Sequence, residues 1–517
     1  MNMDSSYFIG IDTGTNSSKG VLIDDKGNII AQHSCAHYMT NPKPKHYEHD
    51  AEKDWWGDFC TISNSIIKKS KIDPKLIKSV GISALGADCL PVDKNCRPLR
   101  KAILYGIDAR AGNEIDQLTK YFGEDQINKW YGRPLCSSDV VPKILWIKNN
   151  EPEVYKNTYK FLTATSFIVA KLTNNYVIDR FLGLASFNPL YDKKTLKVNE
   201  ELCKTICKSD QLAMIKETTD IAGYITEKAS IETGLAVGTP VITGTDDSGA
   251  EAISCGVAQV GKMFLQFGSS IYMILCTKDL IDDARLWRED FIIPNVSDIS
   301  AGTNTAGSLI QWYKDNIYKD LKTEEINDYQ SYQTMIEEIS DIGLGSEGLI
   351  TLPYFAGERT PINDPNARGL IFGLLLKHTR AHMYKSALEG IGFSINQQIK
   401  IMESHEGINI DTIYTAGGGV QNEVWMQIVS DIIGKNILVP AITIGASYGD
   451  AMMAAIGIKS DGFLEFSDIT KHIKTGKIYT PNLINHEKYK KYQEIYDSIY
   501  YSTVNYAHKL TQLESEE

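Results

Sequence analysis

Residues 7–23 read YFIGIDTGTNSSKGVLI: an apolar run closing on Asp12, a turn of small polar residues, then a second apolar run. The pattern predicts a strand over 7–12, a turn through Thr13, Gly14 and Thr15, and a returning strand over 20–23. A turn at residues 25–28 and a strand over 29–31 extend it into a meander. Residues 262–275, KMFLQFGSSIYMIL, repeat the device: a strand, the turn Gly268-Ser269-Ser270, and a strand. Two glycine-turn hairpins in matching places predict two related lobes. Between them, Asp50 is placed to cap a helix in which Trp55, Phe59, Ile62 and Ile66 recur at helical spacing, and residues 80–83 read as another strand. Strands alternating with amphipathic helices make the expected class α/β. The stretch 238–256, rich in glycine, is the expected boundary, and residues 486–510 read as a helix that packs on the rest.

The chain has 517 residues, enough for two or three domains with large cores. Its net charge of −12, with Lys and Arg scattered, excludes an electrostatic footprint for nucleic acid. An acidic protein can still bind ATP, because backbone N–H groups and Mg²⁺ carry that contact locally. Nine cysteines at irregular spacing, without a CxxC, read as reduced thiols. The start lacks the basic and apolar regions of a signal peptide, and no apolar run is long enough to cross a bilayer. The expected location is cytoplasmic, with no membrane partner.

Three small-residue turns follow strands: Asp12-Thr13-Gly14-Thr15, Gly268-Ser269-Ser270 and Gly417-Gly418-Gly419. Glycine lets the backbone approach a phosphate, and Ser or Thr hydroxyls add donors. The third turn lies between a strand over 410–415 and a helix starting near Asn422, whose N-terminus favours anionic or polar groups. A buried, uncompensated carboxylate at the end of a strand is costly, so Asp12 is read as facing Mg²⁺ through water. The P-loop pattern GxxxxGK[ST] is absent, and the GxGxxG at residues 343–348 precedes a strand instead of following one, which is the wrong context for a dinucleotide site.

Residues 240–250, PVITGTDDSGA, run from a strand into two acids and then small residues. Phosphoryl transfer to a hydroxyl needs a carboxylate that accepts the hydroxyl proton, and both Asp246 and Asp247 qualify. One of them is expected to cap the following helix.

Taken in order, these segments resemble the FGGY carbohydrate kinases, the group of xylulokinases, glycerol kinases and gluconate kinases. The likeness runs through DTGTNSSK at 12–19, PKILWIKNNEP at 142–152, GTPVITGTDDSGA at 238–250, QFGSS at 266–270, AGSLIQW at 306–312, LPYFAGERTP at 352–361, the stretch 369–390 and TAGGGVQNEVW at 415–425. The resemblance implies two ribonuclease H-like, actin-like ATPase lobes with sugar and ATP meeting in a cleft. The N-terminal lobe, 1–250, would mainly bind sugar, the C-terminal lobe, 251–460, would mainly bind nucleotide, and 461–517 would be a helical extension. It chooses Asp247 as the catalytic base, which also touches substrate. It sets Asp12 at magnesium and phosphate, Gly268, Ser269 and Gly307 at phosphates, and Gly418, Gly419 and Asn422 near adenosine. A homodimer is a family-level expectation only.

The chain departs from the pattern at the sugar. Ala84-Leu85-Gly86-Ala87-Asp88 stands where xylulokinases usually carry Gln-Met-His-Gly, and Tyr105 stands where the family's Trp-Asn-Asp-x-Arg begins. Ala87, Asp88 and Asp108 are the expected substrate contacts, the two acids as acceptors for polyol hydroxyls. The expected activity is ATP- and Mg²⁺-dependent phosphorylation of a sugar or polyol, foremost a ketopentose such as xylulose. Glycerol, erythritol and gluconate are the alternatives, and a non-sugar actin-like ATPase or a catalytically dead sugar-binding protein are rival classes. His33 with His37, and His378 with His382, have metal-like spacing but no completing ligand. Trp55-Trp56 reads as core, and Glu358-Arg359 as a buried ion pair or substrate contact. Gly390 and Gly392 read as points of close approach to a neighbouring helix.

Overall fold

The computed structural model describes residues 6–321 and 327–516. The chain forms two compact units. The first holds 1–259, 289–297 and 444–473, and the second holds 260–288, 298–443 and 474–517. The units are thus not consecutive blocks: a segment near the C-terminus returns to the first.

In the first unit the strands Tyr7–Thr13, Ser17–Asp24 and Ile29–Ala36 form an antiparallel meander. Ile77–Ala84 joins Tyr7–Thr13 in parallel, Pro240–Ile242 joins Ile77–Ala84 in parallel, and Ile221–Tyr224 closes the edge antiparallel. In the second unit Met263–Phe267 and Ile271–Thr277 are antiparallel, and Ser297–Thr303 lies beyond them. Thr412–Ala416 and Asn436–Pro440 follow in parallel, and Thr475–Tyr479 closes antiparallel. With the edge strands Ile221–Tyr224, Trp287–Asp290 and Thr475–Tyr479 set aside, the five central strands of both sheets run in the order 3-2-1-4-5. The repeat anticipated from two hairpins is a repeat of topology.

Local chemistry explains the elements. Asp50 accepts from the Lys53 N–H at 3.2 Å and caps a wide turn, Ala51–Trp56, that leads into the helix Gly57–Ser70. Trp55, Phe59, Ile62 and Ile66 are fully buried, and Trp56 is nearly so, stacked on Phe59. The helix Ala446–Gly457 lies on the first sheet because Gly10 and Gly81 leave room. A Cβ on Gly10 would stand 2.1 Å from the Ser447 carbonyl oxygen, and one on Gly81 would stand 2.0 Å from that of Asp450.

In the second unit the long helix Arg380–Glu403 carries Gly390 and Gly392. Gly392 meets the Ile432 side chain on the helix Glu423–Ile433, as anticipated, but Gly390 meets the Thr351 carbonyl of a strand. The GxGxxG segment makes a tight turn whose Gly345 N–H and Ser346 hydroxyl donate to the buried Glu389 carboxylate. The C-terminal helix Leu483–Glu516 adds the Tyr489 hydroxyl to the same carboxylate at 2.8 Å, so this glycine motif serves packing. No disulfide joins the nine cysteines. Among the described residues, no helix is long and apolar enough to cross a membrane.

Candidate active site

The parallel strands of the first unit end together, and their ends carry acids. In the strand register Asp12 lies opposite Ser83, and Asp246 opposite Ala84. The Ser83 hydroxyl donates to Asp450 Oδ2 at 2.7 Å and lies 3.1 Å from Asp12 Oδ1. Burial first, then the neighbouring Asp12 charge, pushes Asp450 well above the usual carboxylate range. Asp12 is raised too, again by burial, with Glu251 and Asp246 adding to it and Ser83 and Lys19 opposing it. Neither Ser83 nor Asp450 was expected from the sequence.

Asp246 and Asp247 divide the work. Asp246 has extended backbone and caps the helix Asp247–Ser254, accepting from the Gly249 N–H at 3.0 Å and from the Ser248 hydroxyl. Asp247 is the first residue of that helix and is half-buried. Burial, then the charges of Asp246, Asp12 and Glu251, hold its carboxyl well above its ordinary value, with partial relief from the Ser248 N–H.

The turn at Gly14 is gripped by its surroundings. The Leu85 N–H donates to the Thr13 carbonyl at 2.9 Å, the Gly14 N–H donates to the Ser17 carbonyl at 3.0 Å, and the Thr15 and Tyr105 hydroxyls are 3.0 Å apart. Tyr105 therefore contributes a hydroxyl where the family pattern has an indole.

The expected sugar acceptors are placed differently. Asp108 is buried, and its carboxylate receives Nε and Nη2 of Arg110 together with the Tyr47 N–H. Asp88 is fully buried, and neither of its oxygens completes a well-formed hydrogen bond. Burial raises it far above its ordinary value, against the Lys143 charge. Lys143, equally buried, donates to the Ala87 carbonyl at 2.9 Å. Ala87 itself sits at φ +60°, a conformation that costs a non-glycine residue about 1 kcal/mol. The geometry thus corrects the expectation for Asp88 and Asp108: both acids build the loop from inside, while half-buried Gly86 and Ala87 form its outer part.

The second unit holds a pocket of about 630 Å³. Gly268, Ser269, Gly307, Gly418, Gly419 and Asn422 all line it, so the residues expected at nucleotide converge. Asn422 caps the helix Glu423–Ile433, accepting from the Trp425 N–H at 2.9 Å. A Cβ on Gly419 would fall 2.8 Å from Phe267 and 2.9 Å from Trp425, so glycine is required there by packing. Gly307 starts the helix Gly307–Asn316, but its N–H already donates to the Gly268 carbonyl at 3.0 Å, and the Ser308 N–H to that of Ser269. What Gly307 supplies is close backbone approach, not a free donor. The opposite wall, Tyr329, Tyr332, Gln333 and Ile336 on the helix Asp328–Glu337, was not anticipated.

Glu358 and Arg359 do not meet side chain to side chain. Glu358 accepts from the Thr303 hydroxyl and from the N–H groups of Asn304 and Arg359, while the Arg359 guanidinium donates to the Thr303 carbonyl at 3.0 Å.

Two units with the same 3-2-1-4-5 sheet, one bearing an acid cluster and the other an apolar-walled pocket rimmed by glycine turns, define the ribonuclease H-like class of actin-like phosphotransferases. The chain belongs to the FGGY family of carbohydrate kinases: residues 7–254 match its N-terminal domain and 266–458 its C-terminal domain. It is 29% identical over 507 residues to xylulose kinase of Staphylococcus xylosus, covering 95% of this chain and 100% of that one. It is 25% identical to gluconokinase of Bacillus subtilis, covering 95% of each chain. Its fold is similar to that of xylulose kinase from Rhodospirillum rubrum, with a TM-score of 0.87, 24% identity and coverage of 97% and 100%. Plasmodium falciparum glycerol kinase with ADP gives a TM-score of 0.84 at 22% identity, covering 96% of this chain and 98% of that one. The protein is thus a carbohydrate kinase, a phosphotransferase with an alcohol acceptor and ATP as donor.

Proposed function

We propose that the protein transfers the γ-phosphoryl group of ATP to a hydroxyl of a ketopentose such as xylulose, with Asp247 as the base. One observation carries the base assignment: Asp246 spends its carboxylate on capping the helix, while Asp247 caps nothing; burial raises both carboxyls. A base tuned upward accepts a hydroxyl proton more readily near neutral pH. The glycine-rimmed pocket of the second unit supports nucleotide binding, with Gly268 and Ser269 at phosphates and Gly418, Gly419 and Asn422 at adenosine. Thr13, Gly14 and Thr15 are read as phosphate contacts on the sequence of their turn.

Asp12 and Ser83 offer only oxygen donors, which suit Mg²⁺, and no group of three or more His, Cys, Asp and Glu among the described residues encloses a metal. That fits a cation held by phosphates and water, with Asp12 contributing through water. Mg²⁺ would neutralise charge on the β- and γ-oxygens. The protein's own residues orient the donor, remove the hydroxyl proton at Asp247 and shape the loop at Gly86 and Ala87.

The xylulose kinase relatives support a ketopentose. A neutral sugar is favoured over an aldonate because the cations at this loop are committed, Lys143 to Ala87 and Asp88, and Arg110 to Asp108 and Glu48. The reading includes a cytoplasmic, membrane-free enzyme without a nucleic-acid partner. The test is ADP release with Mg-ATP across xylulose, ribulose, fructose, glycerol, erythritol, gluconate and common aldoses. A large rise with a ketopentose is the expected result. A rise with gluconate or glycerol alone overturns the substrate, and basal ATPase unmoved by every compound overturns the acceptor class.

A further inference from the structure

His37 stands at the end of the strand Ile29–Ala36, and its imidazole is buried. Its Nδ1 is 2.8 Å from Asp58 Oδ2, and its Nε2 is 2.9 Å from the Gly14 carbonyl oxygen. A carbonyl only accepts, and so does an ionised carboxylate, so both ring nitrogens must donate. That requires the imidazolium form.

We propose that His37 is a positioning residue of the kinase, a buried imidazolium that ties the Gly14 carbonyl of the phosphate turn to Asp58 on the helix Gly57–Ser70. The role rests on the reading of that turn as a phosphate contact. The backbone adds a second tie, since the His37 N–H donates to the Asn16 carbonyl at 3.1 Å. His37 thus holds the turn at two carbonyls, and its ring places a positive charge behind a loop assigned to phosphates.

The charged groups around it agree. Burial pulls the His37 pKa down, but the hydrogen bonds to Asp58 and Gly14 and the charges of Asp58 and Asp54 outweigh it, and the net shift is upward. His49 packs edge-on against His37, with ring centroids 4.9 Å apart. It accepts from the Trp55 indole and is pulled down to about 4 by burial and by the His37 charge. One histidine of the pair is charged and the other neutral.

The sign follows. A raised pKa carries the charged link to higher pH than an ordinary imidazole would hold it, and the link is lost as pH rises through the His37 pKa. The first experiment is a titration of ring-labelled histidines by NMR in the full chain without substrate, with His37→Gln assigning the His37 signal. Because it needs no turnover, it reads His37 even if the phosphate-turn assignment fails. A ring that stays protonated above the pH at which exposed histidines lose their proton is expected. Titration at or below that pH overturns the proposal. The second experiment is the pH profile of kcat/KM for ATP. His37→Gln is expected to lower it about tenfold, the scale of one lost charge-assisted hydrogen bond, with the KM for sugar little changed. Asp58→Asn, a milder change that guards against misfolding of His37→Gln, is expected to move the alkaline limb to lower pH. An alkaline limb unmoved in a folded Asp58→Asn variant overturns the proposal.

Discussion

The two glycine turns occupy the same place in the same topology and differ in what side chains add to their backbone contacts. In the first unit the Gly14 turn has backbone ties from the N–H groups of Gly14, Leu85 and His37, and side chains add to them, with the His37 ring on one carbonyl, Tyr105 on Thr15, and Asp12 tied through Ser83 to Asp450. In the second unit the turn at Gly268 and Ser269 is fastened by the backbone N–H groups of Ala306, Gly307 and Ser308. One lobe adds titratable side chains to its peptide contacts, and the other adds only the Ser308 hydroxyl. The first should therefore answer to pH and charge, and the second to volume.

The largest expected effect lies at the acid cluster. Asp247→Asn should lower kcat by about 10²- to 10⁴-fold, the usual worth of general-base catalysis, while ATP binding measured calorimetrically stays near wild type. Near-normal turnover would remove Asp247 from its role. Next, Lys143→Met leaves Asp88 buried beside no cation. It should cost about 3 kcal/mol of stability at neutral pH and raise the KM for sugar. The deficit should shrink as pH falls and Asp88 takes up a proton, which parallel denaturant melts would show. On the volume side, Gly307→Ala introduces a Cβ that would stand 2.6 Å from the Gly268 carbonyl oxygen. About 2 kcal/mol of strain is expected, with a higher KM for ATP and no new pH dependence. A pH-dependent defect there would break the contrast between the lobes.

The smallest effect concerns Asp450. Its folded pKa is raised, so the folded wild type binds more protons than the unfolded chain and loses stability as pH climbs above about 4, the ordinary carboxylate value. Asp450→Asn should gain on the wild type by roughly 1 kcal/mol between pH 5 and pH 8 in the absence of nucleotide, read as a difference in melting midpoints.

The hairpins were legible because a strand, a glycine turn and a strand are written in adjacent residues. Of the residues proposed at nucleotide, Gly268, Ser269, Gly418 and Gly419 could be singled out because they lie in turns after strands, whereas Gly307 came only from the family resemblance. The split of Asp246 and Asp247 follows from local capping chemistry that two neighbouring acids announce. Asp450 was not legible, because its partner Ser83 is 367 residues away in sequence. Asp88 and Asp108 were read as substrate contacts because a carboxylate can accept from polyol hydroxyls. Burial is a property of the assembled loop, although Arg110, two residues after Asp108, was a visible sign of a competing partner. The wall formed by Tyr329, Tyr332, Gln333 and Ile336 belongs to a helix whose sequence carries no phosphate-like pattern.

The bare backbone at Gly10 and Gly81 has a consequence in time. The helix that covers it is Ala446–Gly457, so a ribosome must run from Gly10 to beyond Ala446 before the first unit can close its core. At about 5–20 residues per second, the nascent N-terminal sheet waits tens of seconds with one face uncovered. The second unit waits longer still, because its closing strand Thr475–Tyr479 and the helix Leu483–Glu516 are made only after the last piece of the first.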